Sequence, residues 1–153
     1  MAGEYSYVKL RETDFVAEAT RKSMRGNRGY DTKPELRLRS ALWAAGLRGY
    51  RKNVRKLPGK PDVVYGRAKL AIFVHGCFWH QCPHCARNRA PKANAAYWAA
   101  KFLANAERDA RNVAALEAKG YRVHVVWECR LKDTLKVVEE IAALLGRTPA
   151  HLF

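Results

Sequence analysis

Ile72 to Cys85 reads IFVHGCFWHQCPHC, which places three of the four cysteines and three of the five histidines in one short stretch. Cys77, Cys82 and Cys85 follow C-x4-C-x2-C spacing, with Cys129 isolated downstream. Thiols so spaced favour a zinc site over disulfides in an intracellular chain. Four thiolates would complete a tetrahedron and leave no position for water, so such a metal is structural. His84, between Pro83 and Cys85, is the alternative to one thiolate. Four buried free cysteines are the bland alternative. A redox C-x-x-C would need a strand-then-helix setting that is missing here.

Asp62 is the second chemical residue. It follows Pro61 at the head of an apolar strand, where a carboxylate is costly unless paired or metal-bound. Capping a turn is its ordinary alternative role. Held beside a phosphodiester, it would bind Mg²⁺, which polarises the phosphate and activates water. His75 and His80 emerge near Asp62 and suit general acid–base work, because imidazole titrates near neutral pH. Asp109 falls within the apolar stripe of a long helix, the place for a carboxylate that orients an imidazole. His124 and His151 read as structural or exposed. Phe78 and Trp79 have a place in the core as their ordinary reading. Adjacent aromatics cannot both be buried equally, however, so they also suit a wedge between base pairs, with Trp98 in the same wall.

These residues need elements to hold them. Thr32 caps a helix running to Gly46, with Glu35 completing a capping box and Pro34 in the first turn. Leu36, Leu38, Leu42 and Trp43 form its expected apolar face. Strands are expected at Tyr50–Val54, Pro61–Tyr65 and Leu70–His75, with a hairpin turn at Gly66-Arg67. The third is continuously apolar, as in a strand buried on both faces. Lys92 to Gly120 is helical, with Asn94 as N-cap and Trp98, Phe102, Ala106, Val113 and Leu116 inward. Tyr121 to Glu128 alternates as a fourth strand. Lys132 to Gly146 is an amphipathic helix with Leu135, Val138, Ile141, Ala142 and Leu145 inward. The order is α-β-β-β-α-β-α in one α/β domain.

Composition narrows the partners. The chain has 153 residues, 29 Lys+Arg against 14 Asp+Glu, and a formal net charge of +15. That field attracts polyanions, nucleic acid above all. Ala19 to Lys33 is a basic loop in which Arg21, Lys22 and Arg25 suit phosphates and Met24 would be an apolar finger. No apolar run spans a membrane and no signal peptide opens the chain, so an intracellular, soluble protein is expected, and binding to DNA would make it cytoplasmic and nucleoid-associated.

The segments ATRKSMR, LPGKPD, IFVHGCFWH, ERDAR and RVHVVWEC together resemble the very-short-patch repair (Vsr) DNA mismatch endonucleases. These are bacterial nickases of the restriction-endonuclease-like PD-(D/E)XK superfamily. The resemblance runs from about Ala19 to Leu131 and implies an αβββαβ core with a mixed sheet flanked by helices and a structural zinc. It implies residues 1–18 as an N-terminal arm, 19–146 as the endonuclease domain and 147–153 as a tail. It also implies Mg²⁺ on Asp62 and the Val74 carbonyl, His80 as base oriented by Asp109, and His75 assisting. Met24, Phe78, Trp79 and Trp98 match intercalating positions, and Glu35 a position near the active site. The implied reaction is a nick 5′ to the thymine of a T:G mismatch, opening repair of deaminated 5-methylcytosine. A monomer is expected, with a link to a cytosine methyltransferase and to a mismatch-repair protein.

One departure stands out. After CFWH this chain reads Gln81-Cys82-Pro83-His84-Cys85 where relatives carry a histidine run, so a histidine zinc ligand is replaced by Cys82. Two rival readings remain: a non-catalytic zinc-containing DNA-binding module, and a restriction-type nuclease cutting matched duplex.

Overall fold

A computed structural model describes residues 29–150; Met24, Arg21, Lys22, Arg25, the N-terminal arm and His151 lie outside the described residues. Helix α1 spans Lys33–Ala44. Strands β1 (Arg51–Lys52), β2 (Val63–Tyr65) and β3 (Leu70–His75) follow. Helix α2 covers Ala95–Ala118, β4 Arg122–Trp127 and α3 Thr134–Leu145. The expected order holds.

The four strands form one mixed sheet in the order β1-β2-β3-β4. β1, β2 and β3 pair antiparallel, and β3 pairs parallel with β4, Leu70 opposite Arg122 and His75 opposite Trp127. Parallel neighbours need a long crossover, and α2 provides it.

The alternation of β3 sorts its side chains into two cores. Leu70 and Ile72 pack with Leu38 and Leu42 of α1 and with Val138 and Ile141 of α3. Ala71 and Phe73 pack against Leu116 of α2. The fold is therefore three layers, α1 and α3 on one face of the sheet and α2 on the other. Truncating Ile72, fully buried at the centre, would cost about 2–5 kcal/mol. By the same alternation, His75 continues the row of Ala71 and Phe73 toward α2. This parity delivers the histidine to the helix that carries Asp109.

Thr32 caps α1 as expected, its side chain accepting from the Glu35 N–H. The apolar face of α1 differs from expectation. Leu36 and Trp43 are exposed, and the buried stripe is Glu35, Leu38, Arg39 and Leu42. Leu36 and Trp43 each stand one position beyond a buried residue, about 100° around the helix. Arg48 covers the Trp43 ring at 4.3 Å. In α2 the inward position is Asn105 and Ala106 is exposed. Asn94 precedes α2 in a left-handed conformation without a side-chain cap bond. Leu135 is also exposed, because Val137 and Val138 take the inward places on α3.

Candidate active site and metal centre

A cleft of about 640 Å³ opens at the C-terminal end of β3, and Glu35, Asp62, Val74, His75, His80 and Asp109 all line it. They come from α1, the entry to β2, the end of β3, the loop after it, and α2. Residues 35 to 109 meet here because the first turn of α1 and the middle of α2 both reach the C-terminal end of β3.

Asp62 is fixed from both sides by its backbone. Its N–H donates to the Ile72 C=O at 3.0 Å and its C=O accepts from the Asn53 N–H at 3.1 Å. The carboxylate accepts from the Val74 N–H at 2.7 Å. Because a strand residue turns its N–H and C=O to the same edge, Val74 presents its carbonyl on the Asp62 side of β3. Burial pushes the Asp62 carboxyl up to about 6; the Val74 bond lowers it and neighbouring Glu35 raises it. A buried carboxylate with so little compensation is a group suited to a divalent cation.

Glu35 is buried and held by its capping box. Its carboxylate accepts from the Asp31 N–H at 2.8 Å and the Thr32 hydroxyl at 2.9 Å. Arg39 approaches it at 3.5 Å and also pairs with Asp31. Buried Arg39 follows Glu35 by one turn, a spacing that could have revealed the pair from sequence.

His80 Nδ1 lies 2.5 Å from Asp109 Oδ2. That bond assigns the proton to Nδ1 and leaves Nε2 free to accept one. Burial alone would raise the Asp109 carboxyl, but the His80 hydrogen bond and charge outweigh it and hold the group low. The His75 ring stacks on His80 at 3.8 Å with planes 9° apart. Burial, then the adjacent His80 charge, depress His75 to about 4, so it is neutral at pH 7. Asn105, which sequence reasoning passed over, stands one turn before Asp109 and donates to the Trp79 C=O at 2.9 Å.

Phe78 and Trp79 are half-buried at the mouth of this loop and pack edge to face at 5.1 Å. Trp98, expected in the same wall, is only 5% exposed and backs Phe78 at 5.4 Å. Phe102 stacks on Trp98 at 5.7 Å. Trp98 is thus the base of the aromatic wall, and Phe78 and Trp79 form its outer part.

On the far side of the loop, the Sγ atoms of Cys77, Cys82, Cys85 and Cys129 all lie within 4.8 Å of one another. Cys82 and Cys129 are 3.7 Å apart. A tetrahedral ion with sulfur ligands sets such edges at roughly 3.8 Å. Backbone N–H groups of Cys129 and His84 donate to Cys77 and Cys82 sulfurs, each at 3.3 Å. Burial pushes the Cys77 thiol up, whereas a backbone N–H from Arg87 lowers Cys85. Four sulfurs with amide donors make a cluster that can hold a soft or borderline metal. His84 gives its amide to the cluster and turns its ring to Trp127 at 6.4 Å. Glu128 ties the loop to β4 by accepting from the Cys77 N–H at 3.4 Å. Among the described residues, no helix is long and apolar enough to cross a membrane.

Residues 13–87 match the family described as DNA mismatch endonuclease Vsr. The DNA mismatch endonuclease Vsr of Escherichia coli K12 is 41% identical over 83% of this chain and 81% of its own length. The type II nicking enzyme V.XorIIP of Xanthomonas oryzae is 45% identical over 76% of this chain and 84% of its own length. The type II nicking enzyme V.NmeAIP of Neisseria meningitidis is 45% identical over 67% and 72%. Among solved structures, the catalytic domain of the homing endonuclease I-Bth0305I superimposes with a TM-score of 0.52 at 23% identity. It covers 76% of this chain and 96% of that domain, a likeness of fold.

Proposed function

Because the chain belongs to the Vsr DNA mismatch endonuclease family and is a DNA endonuclease, we propose that it nicks one strand 5′ to the thymine of a T:G mismatch. The cut would open repair of deaminated 5-methylcytosine. One observation carries the reading. A single cleft gathers Asp62, His75 and the His80–Asp109 pair beside the outward Phe78 and Trp79.

In this reading Asp62 and the Val74 carbonyl hold Mg²⁺. When bound, the ion neutralises charge on the scissile phosphate and favours hydroxide over water. His80 takes the proton of the attacking water at Nε2, while Asp109 keeps Nδ1 protonated and the ring aligned. Neutral His75, stacked on His80, donates an N–H to the phosphate or the departing oxygen. Glu35 adds negative charge beside Asp62 and strengthens the cleft for a cation. The aromatic pair inserts beside the mismatch, where weak stacking makes separation cheap. Cys77, Cys82, Cys85 and Cys129 hold a structural Zn²⁺ that fixes the intervening loop. The partner is duplex DNA and the acting unit is a monomer in the cytoplasm.

The test is one gel. Matched and T:G duplexes are incubated with Mg²⁺ or with chelator. A nick confined to the T:G strand with Mg²⁺ supports the reading. Double-strand cutting of matched DNA would support a restriction-type nuclease instead, and binding without cutting a non-catalytic module. Loss of the nick in Asp62→Ala would tie it to this cleft.

A further inference from the structure

The turn before Asp62 has an unusual backbone. Gly59 sits at φ +72° and Lys60, a residue with a side chain, follows at φ +53°. A left-handed conformation costs a non-glycine residue about 1 kcal/mol or more, and such strain persists where the surroundings impose it. Here the surroundings are visible. A Cβ at Gly59 would lie 2.9 Å from the Asn112 side chain, so the turn is pressed directly onto α2. The Lys60 N–H closes the turn on the Leu57 C=O at 3.0 Å. The strained conformation is thereby held two residues from Asp62, and it puts Lys60 in the wall of the cleft.

Charge balance gives that placement a purpose. Four carboxylates line the cleft, those of Glu35, Asp62, Asp109 and Glu128, against the cations of Lys60, Lys101 and Arg108. Glu35 is paired with Arg39, Glu128 with Arg87 and Asp109 with His80. It is therefore the Asp62 carboxylate that repels an entering phosphodiester, and an unpaired cation close to it would offset that repulsion. Arg108 is already drawn to Asp109 at 3.5 Å. Among the described residues, neither Lys60 nor Lys101 forms an ion pair, and Lys60 is the one that stands two residues from Asp62 in the chain.

We infer that Lys60 is a further substrate-contacting residue, its ammonium receiving a DNA phosphate next to Asp62, presented by a left-handed turn braced on Asn112. The inference rests on the nicking reaction proposed above and assigns one of its phosphate contacts.

Lys60→Met, Lys60→Arg and Lys60→Gly test it in the full-length protein. Single-turnover nicking of a T:G duplex is measured with Mg²⁺, and duplex binding is titrated against salt with Ca²⁺ in its place. Lys60→Met is expected to slow nicking about tenfold or more, the loss of one charge-assisted bond. It should also flatten the slope of log affinity on log salt by about 0.9, the signature of one lost phosphate contact. Lys60→Arg should restore both. Lys60→Gly should relieve the backbone and raise the melting temperature while remaining slow, which separates the charge from the turn. Wild-type rates and slope in Lys60→Met, or no rescue by arginine, would overturn the assignment. Failure of the wild-type protein to nick T:G duplex would fall instead on the proposed function.

Discussion

The imidazoles of His75 and His80 stack face to face at 3.8 Å, and of the two only His80 has a carboxylate partner among the described residues, Asp109 at 2.5 Å. Two chemically identical side chains are thereby given different surroundings. His80 is oriented and can accept a proton, whereas His75 is held neutral by burial and by its neighbour. Asp109→Asn should lower the single-turnover nicking rate by roughly 10²–10⁴-fold, since the amide no longer enforces the required tautomer. Duplex affinity and melting temperature should change little. His75→Phe keeps a ring in the stack and removes the N–H. Unchanged nicking by that variant would show that His75 serves packing alone.

Asp62 makes stability depend on pH. Its carboxyl titrates near 6 in the folded chain against 3.8 as the reference. The fold therefore binds this proton more tightly than the unfolded chain does. The associated stability is complete below pH 3.8 and is lost as pH rises through about 6. Asp62→Asn removes that burden and keeps an oxygen for the Val74 N–H. Without added Mg²⁺, it should melt higher than wild type at pH 7.5 and equally at pH 3.5, and with Mg²⁺ it should fail to nick. A lower melting temperature at pH 7.5 would argue that other groups compensate the buried charge.

The four-sulfur cluster predicts one zinc per chain by elemental analysis of protein purified under reducing conditions. Cys129→Ser should lower the zinc content and the melting temperature together, because metal binding contributes directly to folding. His84→Ala should leave zinc content unchanged, since the His84 ring packs on Trp127 and only its backbone reaches the cluster. A zinc deficit in His84→Ala would contradict the all-cysteine site.

The aromatic wall predicts a division of labour. Phe78→Ala removes an outer residue and should reduce discrimination between T:G and matched duplex, with little change in salt-sensitive binding to matched DNA. Trp98→Ala removes a buried base and should cost about 3–5 kcal/mol of stability. Equal loss of T:G and matched binding in Phe78→Ala would count against insertion beside the mismatch.

Much of this was legible in the chain itself, because it depends on neighbours in sequence. The C-x4-C-x2-C spacing, the Thr32–Glu35 capping box and the unbroken apolar run of β3 are local signals. They determined the cysteine loop, the start of α1 and the central strand. The α-β-β-β-α-β-α order followed from hydrophobic periods of the same short range. Helix faces were less secure, since one position of error turns Leu36, Trp43 or Ala106 from core to solvent.

Tertiary structure decided everything that depends on distance between remote segments. That His80 rather than His75 takes Asp109, that Arg39 braces Glu35, and that Trp98 lies behind Phe78 required α2 to be laid across the sheet. The choice of cysteine over His84 required Cys129 to arrive beside the loop, which the parallel pairing of β3 with β4 brings about. Residue type and period are properties of the chain. Which side chains meet is a property of strand register and helix packing.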